Sequence, residues 1–440
     1  MFRTVKLALG RLSLLSVMMA PLYGDSLPSF PGAEGFGAGS RGGRGGRVLL
    51  VTSLEDYDPN QDEPIPGTLR WACSSEGPRI VVFRVSGNIP LKRSLTIDKP
   101  HITLAGQSAP GDGICVKNYG TSVRASHVII RYMRFRPGDV MGPKHPEGFA
   151  PDSLSLGSSE GGVRDVIFDH CSTSWAIDEV LSVSGADITD VTVQWCIISE
   201  SLTKSLHKKG AHGYGSLLRC NGNLSFHHNI YAHHSSRSPR PGTYGEGSIL
   251  LDFRNNLIYN SQGYTAKDPA QINYVGNYIK RPRGKPFSIG GETTHMFVKG
   301  NVQEGADQGN EDNWLLIANV EAINKEEEPF PVAPVTTGDA SEVYEDLLER
   351  CGATLPERDA VDRRVIQGIR AGEGDLIDSQ EEVGGWPEFV SLPPPADSDS
   401  DGMPDAWEKE HDLDPADPSD AAADRDGDGY TNIEEWLNAI

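Results

Sequence analysis

The sequence predicts an all-β chain wound as a parallel β-helix, and three observations carry that prediction. Short runs of β-branched and aromatic residues recur from RIVVFRVSG onward, each bounded by Gly, Asn, Asp or Ser. From HVIIRYMRF on, the runs align as apolar-x-apolar-x-x-(Cys/Asn/Met)-x-apolar, with Met133, Cys171, Cys196, Asn229, Asn256, Asn277 and Asn301 in the sixth place. Successive spacings are 38, 25, 33, 27, 21 and 24 residues. A repeat of that length marks a solenoid, and strands joined by turn residues rather than helices make it a β-helix. An asparagine column fits a turn in which each amide bonds the next rung.

The elements follow from the N-terminus. Residues 1–24 hold Arg3, Lys6 and Arg11, then the apolar run LLSVMMAPL, then small residues, the pattern of a cleaved secretory signal. That run is too short to span a bilayer, and no later run is long enough. The expectation is an exported, non-membrane protein. PGAEGFGAGSRGGRGGR, residues 31–47, lacks the GKS or GKT of a phosphate loop and reads as a flexible lead-in. Residues 25–304 form the coil. The two long gaps, 134–165 and 199–223, should carry protruding loops, where function concentrates. Cys171 and Cys196 share a column on consecutive rungs, close enough for either a disulfide or two stacked thiols. Six cysteines without a CxxC pair give no zinc site.

Beyond residue 305 the strand pattern fades. SEVYEDLLERCGA and DAVDRRVIQGIRAG read as amphipathic helices, followed by a proline-rich linker, so 305–392 forms an extension packed on the coil. Residues 393–440 hold two loops with calcium spacing. DSDSDGMPDAWE places Asp397, Asp399, Asp401, Asp405 and Glu408 at positions 1, 3, 5, 9 and 12, and DRDGDGYTNIEE places Asp424, Asp426, Asp428, Asn432 and Glu435 likewise. Alternating hard oxygen donors around a turn glycine suit calcium. The module resembles dockerin or thrombospondin-type-3-like repeats, which implies structure or attachment to a surface or scaffold.

The formal charge of -22 is unevenly distributed. Residues 301–440 hold 37 acidic and 8 basic side chains, whereas residues 1–300 hold 25 and 32. A mildly basic body can attract a polyanion. Nucleic acid is excluded as the expected partner, because no recognition motif occurs and the acidic tail would repel it.

Within the body, Asp152, Asp178 and Glu179 lie about one coil apart and can converge on one face, where a hard cation would relieve their repulsion. Arg237 and Arg240 follow in HHSSRSPRPG, and Lys204, Lys208, Lys209 and His212 lie between in TKSLHKKGAHGYG. Solvated loop charges would give the same composition.

FPGAEGFG, PGTLRWA, ITLAGQSAP, VIFDHCSTSW, DVTVQWCIISES, FHHNIYAHHSSRSPRPG and FRNNLIYN, in this order, resemble the pectate lyase family of right-handed β-helix enzymes. LLERCGATLPERDAVDRRV resembles the C-terminal extension of some members. The resemblance implies β-elimination on pectate or polygalacturonate with calcium bridging enzyme and uronate. It assigns Asp152 and Asp178 to calcium, with Glu179 as a substitute ligand because Ser182 occupies a usual Asp position. Arg237 matches the base that takes the C5 proton, and Arg240 a second, uronate-binding arginine. A substrate lysine aligns loosely with Lys208, Lys209 or His212, and Asp169 and His170 are structural. Two other classes remain open on sequence: a β-helix glycoside hydrolase using Asp152 with Asp178, and a non-catalytic polysaccharide-binding solenoid.

Overall fold

The computed structural model describes residues 27–145 and 147–440, so the expected export signal at 1–24 lies outside the described residues. Three walls of parallel strands form a right-handed coil. The first wall has ten strands, from Arg47–Val51 to Thr294–Lys299. The second has nine, from Gly87–Pro90 to Val302–Gln303, and the third six, from Leu95–Ile97 to Arg240–Gly242. Gly263–Tyr264, Phe287–Ser288 and Ile317–Ala318 form a small sheet beyond the third wall. Inward positions stack in register along the first wall: Ile130, Phe168, Val193, Phe226, Phe253 and Tyr274 pair rung to rung and are buried.

The corner between first and second walls is made by the asparagine column. Each Asn Oδ1 accepts the backbone N–H of the residue one rung below: Cys196 N to Asn229 at 2.9 Å, Asn229 N to Asn256 at 2.9 Å, Asn256 N to Asn277 at 3.0 Å. The ladder continues through Asn301 to Asn313, which the repeat pattern did not reveal because Asn313 sits in a 3-10 turn, not a strand. Just before each column residue the backbone turns left-handed, at Tyr132, His170, Trp195, His228 and Asn255, with φ between 49° and 55°. Stacking rewards that strained turn: ring centroids lie 4.8 Å apart for Tyr132–His170 and 4.4 Å for Trp195–His228. Cys171 and Cys196 are free thiols, with Cys171 N donating to Cys196 Sγ at 3.4 Å.

The glycine-rich lead-in is ordered against the first wall, contrary to the expected flexibility. A Cβ at Gly37 would lie 2.2 Å from the Val166 carbonyl oxygen, and one at Gly43 would lie 1.9 Å from that of Arg79. Thr103, Thr192 and Ser225, outward on the wall, accept hydrogen bonds from Gly43, Gly37 and Phe36 N–H groups. Here glycine serves backbone-to-backbone contact rather than freedom.

Helices Ala340–Arg350 and Ala360–Ala371 lie on the outside of the second wall, burying Leu347, Leu348, Val365 and Ile369 against Ile197, Ile230, Leu257 and Tyr259. Arg136, fully buried, pairs with Asp359 and, at 2.7 Å, with Asp362. Among the described residues, other segments cover part of each end of the coil. Helix Leu69–Ser74 buries Leu69, Ala72 and Cys73 at one end. At the other, Glu326 N–H bonds the Met296 carbonyl at 2.8 Å beside a Met296–Lys325 bridge.

Candidate active site

The third wall brings the sequence candidates together. Asp152 precedes strand Leu154–Gly157, and Asp178 and Glu179 precede Leu181–Ser184, its parallel neighbour. Isolated parallel bridges carry the ladder outward from Glu179 to Tyr214 and from Tyr214 to Ser236, next to Arg237. Four successive coils therefore present, in order, one acid, two acids, the Tyr214 ring and a guanidinium on one face.

Carboxylate oxygens of Asp152, Asp178 and Glu179 lie within 4.8 Å of one another. Asp152 Oδ1 accepts the Glu179 N–H at 3.1 Å, and Oδ2 accepts the Ser182 hydroxyl. Burial pushes the Asp152 carboxyl up to about 7; Asp178 adds to the rise, while Ser182 and Arg237 oppose it. Ser182 thus donates a hydrogen bond where an aspartate would add a fourth negative charge. Three crowded carboxylates with a neutral fourth neighbour fit a hard divalent cation.

Arg237 pairs with Glu179 through Nη1, and its guanidinium lies 4.1 Å above the Tyr214 ring. Its backbone is left-handed, φ 60°, and its Nε is buried without a partner. The Ser238–Pro239 peptide is cis. Arg240, on the next strand, pairs with Asp268 at 3.0 Å. Lys208 and Lys209 are exposed, and Lys209 contributes its backbone N–H to His207 Nδ1 at 3.1 Å.

His212 lies beside Asp178, Nε2 to Oδ1 at 3.8 Å, and its Nδ1 faces the Gly210 carbonyl at 3.1 Å. His207, which the sequence reading passed over, stacks on His212 at 3.4 Å and places Nε2 3.6 Å from Asp178 Oδ2. Their backbone partners, the Lys209 N–H and the Gly210 carbonyl, fix complementary tautomers. Nδ1 of His207 accepts, leaving Nε2–H toward Asp178, whereas Nδ1 of His212 donates, leaving a lone pair at Nε2. Nothing in HKKGAH distinguishes them; only the loop's return past Asp178 does. Asp169 and His170, expected to be structural, bond each other at 2.8 Å, and Asp169 also accepts from Arg131 and Gln194.

In the C-terminal module, Asp397, Asp399 and Asp401 converge, as do Asp424, Asp426 and Asp428, each set within 4.8 Å. Asp405 departs from its expected ninth-position role: both its oxygens accept from Ser398, N–H at 2.7 Å and Oγ at 2.8 Å. Asp420, which lies outside either loop pattern, joins Asp401 and Glu408 within 4.8 Å instead. In the second loop Asn432 Nδ2 donates to the Asp420 carbonyl at 2.8 Å. Burial and the charges of Asp428, Asp426 and Asp424 raise Glu435.

No protein-family model matches the chain. It is 33% identical over 448 residues to a probable pectate lyase C of Aspergillus flavus, covering 97% of each chain. A probable pectate lyase C of Aspergillus fumigatus is 34% identical, with 94% of each covered. The chain belongs to the pectate lyase family. It is accordingly an enzyme of the lyase class. Among solved structures, the cedar pollen allergen jun a 1 superposes with a TM-score of 0.53 at 19% identity, covering 73% of this chain and 92% of that one. The thermostable pectate lyase PL 47 gives 0.51 at 15% identity, covering 74% and 97%. These share the pectate lyase fold. Among the described residues, no helix is long and apolar enough to cross a membrane.

Proposed function

We infer that this pectate lyase family member cleaves pectate or polygalacturonate by β-elimination at the third wall, with calcium as its cation. One observation carries the reading: Asp152, Asp178 and Glu179 converge within 4.8 Å and Arg237 contacts that same cluster through Glu179. Asp152, Asp178 and Glu179 would hold the cation, which supplies Lewis-acid stabilisation of negative charge on a uronate carboxylate. Arg240 and the lysines of the 204–209 loop offer positive charge to neighbouring uronates.

Arg237 is the group set to accept the C5 proton. As C5–H is lost, its electron pair forms the C4–C5 double bond, the C4–O4 bond breaks, and O4 takes a proton from solvent. A guanidinium must first be neutral to do this. Turnover should therefore rise toward alkaline pH. Substrate carboxylates also attract Arg237, so its binding and base roles separate only kinetically.

Action outside the cell completes the proposal, supported by the leader pattern of residues 1–24 and by a substrate too large to enter a cell. The deciding experiment follows ultraviolet absorbance of unsaturated uronide on polygalacturonate, with calcium and with chelator. Growth that the chelator abolishes is expected. Reducing ends without absorbance would point to hydrolysis, and binding without product to a lectin-like solenoid; either sinks the proposal.

A further inference from the structure

The first loop of the C-terminal module assembles an acid cluster that the cleft chemistry does not use. Asp397, Asp399 and Asp401 each spend one oxygen on a backbone N–H: Gly402 at 3.2 Å, Asp401 at 3.3 Å and Met403 at 2.8 Å. The other oxygen of each, Asp397 Oδ1, Asp399 Oδ2 and Asp401 Oδ2, is buried without a hydrogen-bond partner. Both Glu408 oxygens and Asp420 Oδ1 are in the same condition. Glu408 is 0% exposed and Asp401 4%. Six unpartnered carboxylate oxygens in one buried place are costly unless something positive joins them. Among the described residues, Arg84 pairs with Asp397 Oδ2 at 3.4 Å and leaves the inner oxygens untouched.

The same residues sit at the seam between the module and the coil. Met403, Ala421, Ile433, Trp436 and Leu437 bury themselves against Ile80, Val82 and Ala105 on the outside of the first wall. Gly402, between two of the acids and that wall, has room for no side chain: a Cβ there would lie 2.8 Å from Val48 and 3.2 Å from Val82. Arg84 extends from the wall to Asp397 and to the Pro395 carbonyl.

We propose that Asp397, Asp399, Asp401, Glu408 and Asp420 form a structural divalent-cation site, of the calcium class, that fastens the C-terminal module to the outside of the β-helix. Asp420 replaces Asp405 in the ligand set, so the segment between the two loops is drawn into the first. Five carboxylates at irregular angles suit the larger, more tolerant calcium ion better than magnesium, which requires a near-octahedral shell. Filling the site ties residues 397–420 into one unit and presents Met403 and Ala421 together to the wall. The module's apolar side is then used within the molecule.

The test needs no substrate and is independent of the cleft. Full-length protein is titrated with calcium alone, then with magnesium, while amide hydrogen exchange is followed in residues 397–440 and in the first-wall strands. Calcium should slow exchange in 397–440, and chelation should reverse it without changing the ladder strands near Asn256. Asp420→Asn should weaken that calcium response by about tenfold or more, and Asp405→Asn by less than about twofold. If Asp420→Asn fails to fold, as unprotected ladder strands would reveal, Glu408→Gln is read in its place. Exchange in 397–440 that ignores calcium overturns the proposal, as does an Asp405→Asn loss equal to that of Asp420→Asn.

Discussion

At the scale of single residues, Ser182 decides how the cleft balances charge. Its hydroxyl donates to Asp152, a role an aspartate cannot fill. Ser182→Asp should therefore lower thermal stability in chelator and raise it in calcium, widening the gap between the two melting curves; an unchanged gap would show that the position does not face the cation. Arg237→Lys keeps a positive charge but loses the fork on Glu179 and the face of Tyr214. A drop in kcat of about a hundredfold or more with little change in KM is expected for a lost proton acceptor. Buried histidines give a pH signature remote from the cleft cation. Burial lowers His228 and His233 to about 4 and His234 to about 3, so all three stay neutral in the fold. The unfolded chain, with ordinary imidazoles, binds more protons below about pH 6.5, so stability is full above that value and falls as the pH drops toward 4. Urea denaturation at pH 7.5, 6 and 5 should show it, at up to about 1.4 kcal/mol per pH unit per histidine, and His234→Asn should flatten the slope.

At the scale of elements, the asparagine ladder holds the corner where strands change wall. Asn256 accepts from Asn229 N–H at 2.9 Å and donates to the Phe226 carbonyl at 2.9 Å, wholly out of water. Asn256→Ala leaves those groups unpaired and should cost roughly 2–4 kcal/mol, measured by denaturant unfolding; Asn256→Asp would not restore the donor. This column was readable in the sequence because its spacing is set by coil length. The convergence of Asp152, Asp178 and Glu179 was readable for the same reason, as residues one coil apart stack. Contacts without a period were not. His207 reaches Asp178 only because its loop doubles back, and Asp420 enters the acid cluster from a segment with no loop spacing of its own. The glycine-rich lead-in misled in the other direction, since composition alone does not separate a mobile strip from one pressed against carbonyl oxygens.

At the scale of the molecule, the coil has neighbours on two of its outer faces, and buried charge holds one of them. Arg136 emerges from the second wall into Asp359 and Asp362 of the helical extension. Asp362→Asn strands part of that guanidinium's pairing and should cost about 3–5 kcal/mol, whereas exchanging the whole set for apolar residues should cost far less; calorimetry of both variants distinguishes a lost fit from a lost charge. The partial cover of the two ends has a separate consequence. A stack of parallel strands is a template at each end, and an open rung would recruit another copy in the same register. Helix Leu69–Ser74 lies over the first coils, and the Lys325–Glu326 backbone pairs with Met296 on the last strand of the first wall. Each such cover removes part of the template along which an uncovered coil would lengthen into fibres.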